Sequence, residues 1–197
     1  MGDAAAFIYK SPEDYGQFIR LHFAKQDIPE MSTAFGELTL TVLRSVLLRL
    51  LQFLRDEPAC KFSQMTDITC IDYPERPERF TVVYHLLSTV HNRRIRIRLT
   101  TDGELPVASA SALFPSAVWY EREIWDMFGV VFGNHPDLRR LLTDDDFRGT
   151  PLCRDFPVRG KGAVCYDDAR QVCLYREKAE TPPNRSRTVN LGGGEES

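Results

Sequence analysis

Residues 37–55, ELTLTVLRSVLLRLLQFLR, change their hydrophobic period midway, and that change decides the fold class. From Glu37 to Val42 the apolar residues alternate, with Leu38, Leu40 and Val42 on one side, which is the period of a half-buried strand. From Leu43 to Arg55 they recur at 43, 46, 47, 50, 51 and 54 with arginines opposite, which predicts an amphipathic helix, and Pro58 stands just beyond as a stop. A strand running straight into a helix with one apolar face each needs a two-layer packing.

The flanks extend this pattern. Ser11-Pro12-Glu13-Asp14 reads as a helix start, and Tyr15, Phe18, Ile19 and Phe23 follow at helical spacing. From Phe62 the period returns toward two, with β-rich runs at Ile68, Cys70 and Thr81–Leu87 separated by the turn Tyr73-Pro74-Glu75-Arg76-Pro77. His91-Asn92 closes a hairpin into Arg94–Thr100, where Arg94, Arg96 and Arg98 alternate with Ile95, Ile97 and Leu99 to give one solvated or protein-contacting face and one apolar face. Pro115–Phe128 returns to helix and Gly129 supplies its end. Beyond Gly129 the frequent Gly and Pro leave no room for a long element. The reading is an α+β domain over residues 1–157, a mixed, mostly antiparallel sheet packed against helices. An extended C-terminal segment, 158–197, follows, with its last ~15 residues mobile.

Composition narrows the chemistry. Hydrophobic residues are 43% and charged residues 27% of 197, enough for one real core, and the net charge of −3 gives no bulk attraction to nucleic acid. No run of about 18 apolar residues occurs, so membrane association goes through other proteins. The first thirty residues carry five acids against three bases and no signal-peptide core. A mitochondrial transit peptide is therefore absent, already removed or not needed. Cysteines at 60, 70, 153, 165 and 173 have neither zinc nor iron–sulfur spacing, which predicts free thiols and no metal. Gly160-Lys161-Gly162 lacks the flanking residues of a phosphate loop. Asp67 and Asp72, five apart on a strand, face opposite ways and read as strand-end polar residues. His22, His85 and His91 have no second ligand at usable spacing and read as structural.

The stretch 119–157, WYEREIWDMFGVVFGNHPDLRRLLTDDDFRGTPLCRDFP, is the most unusual. At about 100° per residue, Glu121 falls in the arc of Val118, Trp125 and Phe128, where a carboxylate needs a cation or several donors. The candidates are Arg139, Arg140, Arg148 and Arg154, which would make an internal salt bridge. The sharper alternative is a catalytic acid partnered by His135, although no G-x-S-x-G, H-E-x-x-H or Cys–His signature accompanies it. Arg122 and Asp126, at i and i+4, with Glu123 nearby, read as a solvated or interfacial rim.

Glu121-Arg122-Glu123, Asp126-Met127-Phe128, His135 and Arg139-Arg140-Leu141-Leu142 resemble the signature of the C-type subunit family of respiratory complex I. Segments Glu37–Leu40, Phe53–Asp56, Thr66–Ile68, Ile71–Pro74, Tyr84–Ser88 and Asp155-Phe156-Pro157 resemble family segments in the same order, so the likeness covers roughly residues 35–175. The resemblance implies an α+β structural subunit of the peripheral arm of NADH:quinone oxidoreductase, bound to the quinone-site (D-type) and iron–sulfur subunits. It implies that FMN, iron–sulfur clusters and quinone reside in those partners, with none in this chain, and that the C-terminal segment wraps neighbours. Its signature and interface residues would be Glu121, Arg122, Glu123, Asp126, His135, Arg139, Arg140 and Asp155, with no catalytic residue. The implied place is the matrix side of the mitochondrial inner membrane, or the cytoplasmic face of a bacterial one. Cys153 and Thr150 depart from the family, which commonly has a basic residue and a histidine there. A homologous subunit of a membrane-bound hydrogenase, or a stand-alone α+β hydrolase or binding protein, are the alternatives.

Overall fold

The computed structural model describes residues 11–157 and 162–177. They fall into two compact units that divide between Phe156 and Pro157.

The larger unit opens on α1 (Pro12–His22). Ser11 caps it: its hydroxyl accepts the Asp14 N–H at 3.2 Å, and the Asp14 carboxylate accepts the Ser11 N–H at 3.3 Å. Strands β1 (Glu30–Ala34) and β2 (Glu37–Thr41) form a hairpin, a 3-10 turn over Arg44–Val46 follows, and α2 spans Leu47–Asp56. Then come β3 (Gln64–Asp72), β4 (Phe80–Ser88), β5 (Arg93–Thr101), the short β6 (Val107–Ala108), α3 (Ala117–Phe128) and β7 (Phe132–Gly133), which pairs with β6. The five-stranded sheet has the order β1-β2-β5-β4-β3. Within it only β2 against β5 is parallel, with Leu38 opposite Ile95.

The period change at residues 37–55 therefore lands as strand β2 followed by helix α2. Leu38 and Leu40 of β2, Val82, Tyr84 and Leu86 of β4, and Ile95, Ile97 and Leu99 of β5 share one core with Leu47, Leu50, Leu51 and Leu54 of α2. Each fully buried leucine contributes roughly 1.5–3 kcal/mol over its exposed state. Arg94, Arg96 and Arg98 alternate with that apolar set, only partly buried or exposed, and Arg96 Nη2 donates to the Glu37 carboxylate at 2.8 Å. Helix α3 ends at Gly129, whose φ of 83° is the left-handed cap expected there. No helix among the described residues is long and apolar enough to cross a membrane.

Strand β1 was not legible in the sequence, because four of its five residues are exposed and nothing apolar alternates. It is fixed by β2 through a two-residue turn in which Phe35 (φ 53°) and Gly36 (φ 77°) are both left-handed. Phe35 is fully exposed in that strained conformation.

The second unit holds two short strands in the stretch read from sequence as extended. Strands β8 (Gly162–Asp167) and β9 (Val172–Glu177) pair as an antiparallel hairpin, with Val164 opposite Tyr175. Its turn is set by Asp167, whose carboxylate accepts the N–H groups of Ala169 and Arg170 at 3.1 and 3.2 Å. The Gly160-Lys161 pair and the tail expected to be mobile lie outside the described residues.

Candidate functional site

Helix α3 packs on β3 and carries most of the unusual signature. A β-bulge between Met65 and Asp67 leaves the Thr66 carbonyl free of the ladder, and the Tyr120 hydroxyl donates to it at 2.9 Å. This fixes the rotation of α3. With that phase set, Glu121, Arg122 and Asp126 are all buried, and Glu123 is exposed.

Glu121 is completely buried, as its helical phase requires, but the arginine expected to pair with it is not there. Its carboxylate accepts the Ser109 hydroxyl at 2.6 Å and the Ala110 N–H at 2.7 Å. Both donors come from the loop before α3, so the fixing partners are neutral. Burial pushes its carboxyl up to about 7, against the opposing pull of those two bonds. The phenol of Tyr84, fully buried on β4, is likewise raised, first by burial and then by the Glu121 charge.

His135 lies 3.9 Å from the Glu121 carboxylate, beyond hydrogen-bond reach, and both side chains are sealed from solvent. The imidazole is already engaged. Nδ1 accepts the Asp137 N–H at 3.0 Å, which leaves Nε2 to donate to the Val118 carbonyl at 3.1 Å. An acid–histidine pair acting on a substrate needs a free ring nitrogen and an approach path, and this geometry gives neither.

Arg122 and Asp126 correct the rim expectation: both are buried, and they do not pair with each other. The Arg122 guanidinium donates to the carbonyls of Arg139 and Arg140 at 3.1 and 2.8 Å and lies 5.2 Å from the Trp119 ring centre. Asp126 is the true hub. Oδ2 accepts the N–H groups of Leu141, Leu142 and Thr143 at 3.0, 2.8 and 3.0 Å. Oδ1 accepts Arg140 Nη1 at 2.8 Å and the Thr143 hydroxyl at 2.5 Å. Burial alone would raise this carboxyl, but the Thr143 and Arg140 side chains and the Thr143 and Leu142 amides outweigh it and hold it well below the usual range. Arg140 also donates to the Phe147 carbonyl at 2.6 Å and lies over the Trp125 and Phe147 rings. The irregular segment 139–149 is thus stitched to α3 through two charged side chains. Arg139 is exposed and paired with Asp137 at 2.9 Å.

Asp155 does not join this group. It belongs to a second cluster in which Arg79, on the strand-to-strand turn before β4, bridges Asp155 at 2.7 Å and Asp72 at 2.6 Å. Asp72 is buried and also accepts the Arg154 N–H at 2.7 Å, so it anchors the loop that carries Asp155. Its carboxyl is held low, chiefly by the Arg79 side chain. Asp72 does stand at a strand end, but sequence reasoning missed Arg79. The signal was available in the short turn after Pro74, which returns the chain opposite Asp72. Cys153 Sγ lies with the Asp72 and Asp155 carboxylates, all within 4.8 Å of one another. The Arg79 guanidinium already bonds both acids and burial raises the thiol, so a cation would have to compete with Arg79 for them. Cys153 packs into the apolar core.

The family described as "Respiratory-chain NADH dehydrogenase, 30 Kd subunit" matches residues 40–162. The chain is 54% identical over 142 residues to the C-type subunit of NADH-quinone oxidoreductase from Parvibaculum lavamentivorans, covering 72% of this chain and 71% of that one. It is 42% identical over 174 residues to the corresponding C-type subunit from Paramagnetospirillum magneticum, covering 88% and 87%. Among solved structures, a chain of the membrane-bound sulfane sulfur reductase, an archaeal respiratory membrane complex, shares the fold with a TM-score of 0.63 at 21% identity, covering 74% of this chain and 85% of that one. The stretch matched by the family takes in β3 to β5, the whole of α3, and the loops that Asp126 and Asp72 hold. The chain belongs to the 30 kDa subunit family of the respiratory-chain NADH dehydrogenase.

Proposed function

We propose that this chain is a structural subunit of the peripheral arm of NADH:quinone oxidoreductase and holds no redox centre of its own. The observation that carries this is how α3 spends its charges. Glu121, Arg122 and Asp126 are each buried and bonded to a neighbouring loop, at distances from 2.5 to 3.1 Å. Groups engaged in this way hold a shape, and a shape is what a scaffold supplies to its partners.

The chain works as one member of a hetero-oligomer attached to a membrane through its partners. The quinone-site (D-type) and iron–sulfur subunits are its neighbours in this reading, and FMN, clusters and quinone sit in them. The arm faces the mitochondrial matrix, or the cytoplasm in a bacterium. The hydrogenase-type alternative is less well supported. The C-type relatives from NADH-quinone oxidoreductase stand at 42–54% identity, against 21% for the sulfane sulfur reductase chain.

Affinity purification of the tagged chain from detergent-solubilised membranes tests this reading. A flavin- and cluster-bearing NADH-oxidising assembly should be recovered, and the chain dissociated from it should contain neither iron nor flavin. Stoichiometric iron or flavin in the isolated chain, or a purely monomeric chain in the membrane extract, would overturn it.

A further inference from the structure

The interactions that bury Arg122 and Asp126 have an outward consequence. Trp119 stands one turn before Arg122, its ring against that guanidinium, and yet it is 59% exposed. Leu142, whose N–H is anchored on Asp126, is 64% exposed. Glu123 is exposed on α3 between the positions of Trp119 and Asp126, and Asp144, Asp145 and Asp146 follow Leu142, all exposed. Two large apolar side chains thus stay outside the bonds that Arg122 and Asp126 make to the same 139–143 segment, and four exposed carboxylates lie within four residues of one or the other along the chain. The exposed bases nearby are Arg139, which is paired with Asp137, and Arg148, so acids outnumber bases on this stretch.

We propose that this face of α3 and the 142–146 loop is a docking surface for another protein of the assembly. The contact face of that partner carries an apolar socket bordered by lysines or arginines. The proposal rests on reading the chain as a subunit of a larger assembly. The sign of the charge selects the occupant. A second copy of this chain meeting the patch with its own patch would set acids against acids. An anionic lipid surface or a nucleic acid would be repelled in the same way. A basic protein face gains attraction and discrimination from the four carboxylates. Trp119 and Leu142 supply the buried contact, and their fixed backbones mean little ordering cost on binding.

The test uses the complex as it forms in membranes. A photo-crosslinking amino acid placed at Trp119 or Leu142 should capture a different protein of the complex, in a peptide that contains lysine or arginine. Capture of a second copy of this chain, of lipid alone, or of an acidic peptide would overturn the proposal. In parallel, Trp119→Ala should lower the yield of co-purified complex at least tenfold, while Trp119→Phe restores most of it. Asp144→Asn, Asp145→Asn and Asp146→Asn together should flatten the loss of complex on washing with rising salt. Each isolated variant should melt within about 4 °C of the wild type, the small fall being that of the Trp119 contact with Arg122, which separates docking from folding. If the tagged wild type recovers its assembly and all variants recover it equally, the surface is wrong and the subunit reading stands. If the wild type recovers no partner at all, both fall.

Discussion

Replacing Asp126 by asparagine keeps the size of the side chain and removes its charge, and the structure says which bonds fail. The three amides of Leu141, Leu142 and Thr143 converge on Oδ2, and Arg140 with the Thr143 hydroxyl on Oδ1. An amide has one acceptor oxygen. If it serves the three backbone donors, the NH2 group faces the Arg140 guanidinium; if it serves Arg140, the NH2 group faces three N–H groups. Either way a buried donor meets a donor. Breaking a buried, hydrogen-bonded ion pair from one side costs about 3–5 kcal/mol. The Arg140 side chain is 21% exposed and keeps the Phe147 carbonyl, so the lower end, about 3 kcal/mol, is expected. A chain of this length loses roughly 2–4 °C of melting temperature per kcal/mol, which gives a fall of about 6–12 °C. The wild-type carboxyl is held low, so its contribution is complete above about pH 4, the unfolded aspartate value, and is lost as pH falls through the folded value. Urea melts of the isolated chain at pH 7, with hydrogen exchange read at Leu141, Leu142 and Thr143, measure both the loss and its location. A loss under about 1 kcal/mol with those amides still protected would refute the assignment of Asp126 as the hub.

Glu121→Gln should change the pH dependence of stability in the opposite sense. Its carboxyl is raised to about 7, so the native state holds a proton that the unfolded chain releases, and stability falls as pH rises from about 4.5 through about 7. Glutamine should abolish that slope in denaturant melts taken across the range, and an unchanged slope would place the titration elsewhere. Phe35→Asn should raise stability by about 0.5–1 kcal/mol, since asparagine tolerates the left-handed turn position that phenylalanine occupies under strain; a lower melting temperature would mean that Phe35 makes a contact in the folded chain. Gly149→Ala should destabilise by at least about 1 kcal/mol, because φ is 116° there and the added carbon would stand 2.7 Å from the Phe156 ring. A neutral result in thermal melts would show that the 147–156 loop yields easily.

The parts of the fold that the sequence made legible are those where periodicity carries the information. The apolar positions of residues 37–55 identified β2 and α2 because burial of one face per element repeats at the period of that element. Ser11, Pro58 and Gly129 marked ends because capping and stopping are local chemistry. Strand β1 was invisible for the converse reason. It is an edge strand with four of its five residues exposed, and its hairpin turn begins with phenylalanine instead of the asparagine that usually announces one. The β8–β9 hairpin was obscured by glycines and prolines around it, which outweighed the short alternations of Val164 with Tyr166 and of Val172 with Leu174.

The site divides along the same line, and α3 shows why. Helical phase said correctly that Glu121 points inward, because phase depends only on the angle per residue. It could not say what waits there, since Ser109 and Ala110 come from a loop without a period. The i, i+4 spacing of Arg122 and Asp126 suggested a mutual surface pair, a bond worth a few tenths of a kcal/mol in an isolated helix. In the folded chain each has a stronger alternative. The carbonyls of Arg139 and Arg140, and the amides of Leu141 to Thr143, belong to a segment with no secondary structure to satisfy them. An irregular segment packed on a helix must find partners for its backbone groups, and a buried charge supplies several at once. The clue in the sequence was therefore the juxtaposition of a helix with charges on too many sides and a following stretch too irregular to bond to itself. Each solves the other's problem, and the exposed Trp119 and Leu142 are what the joint solution leaves facing outward.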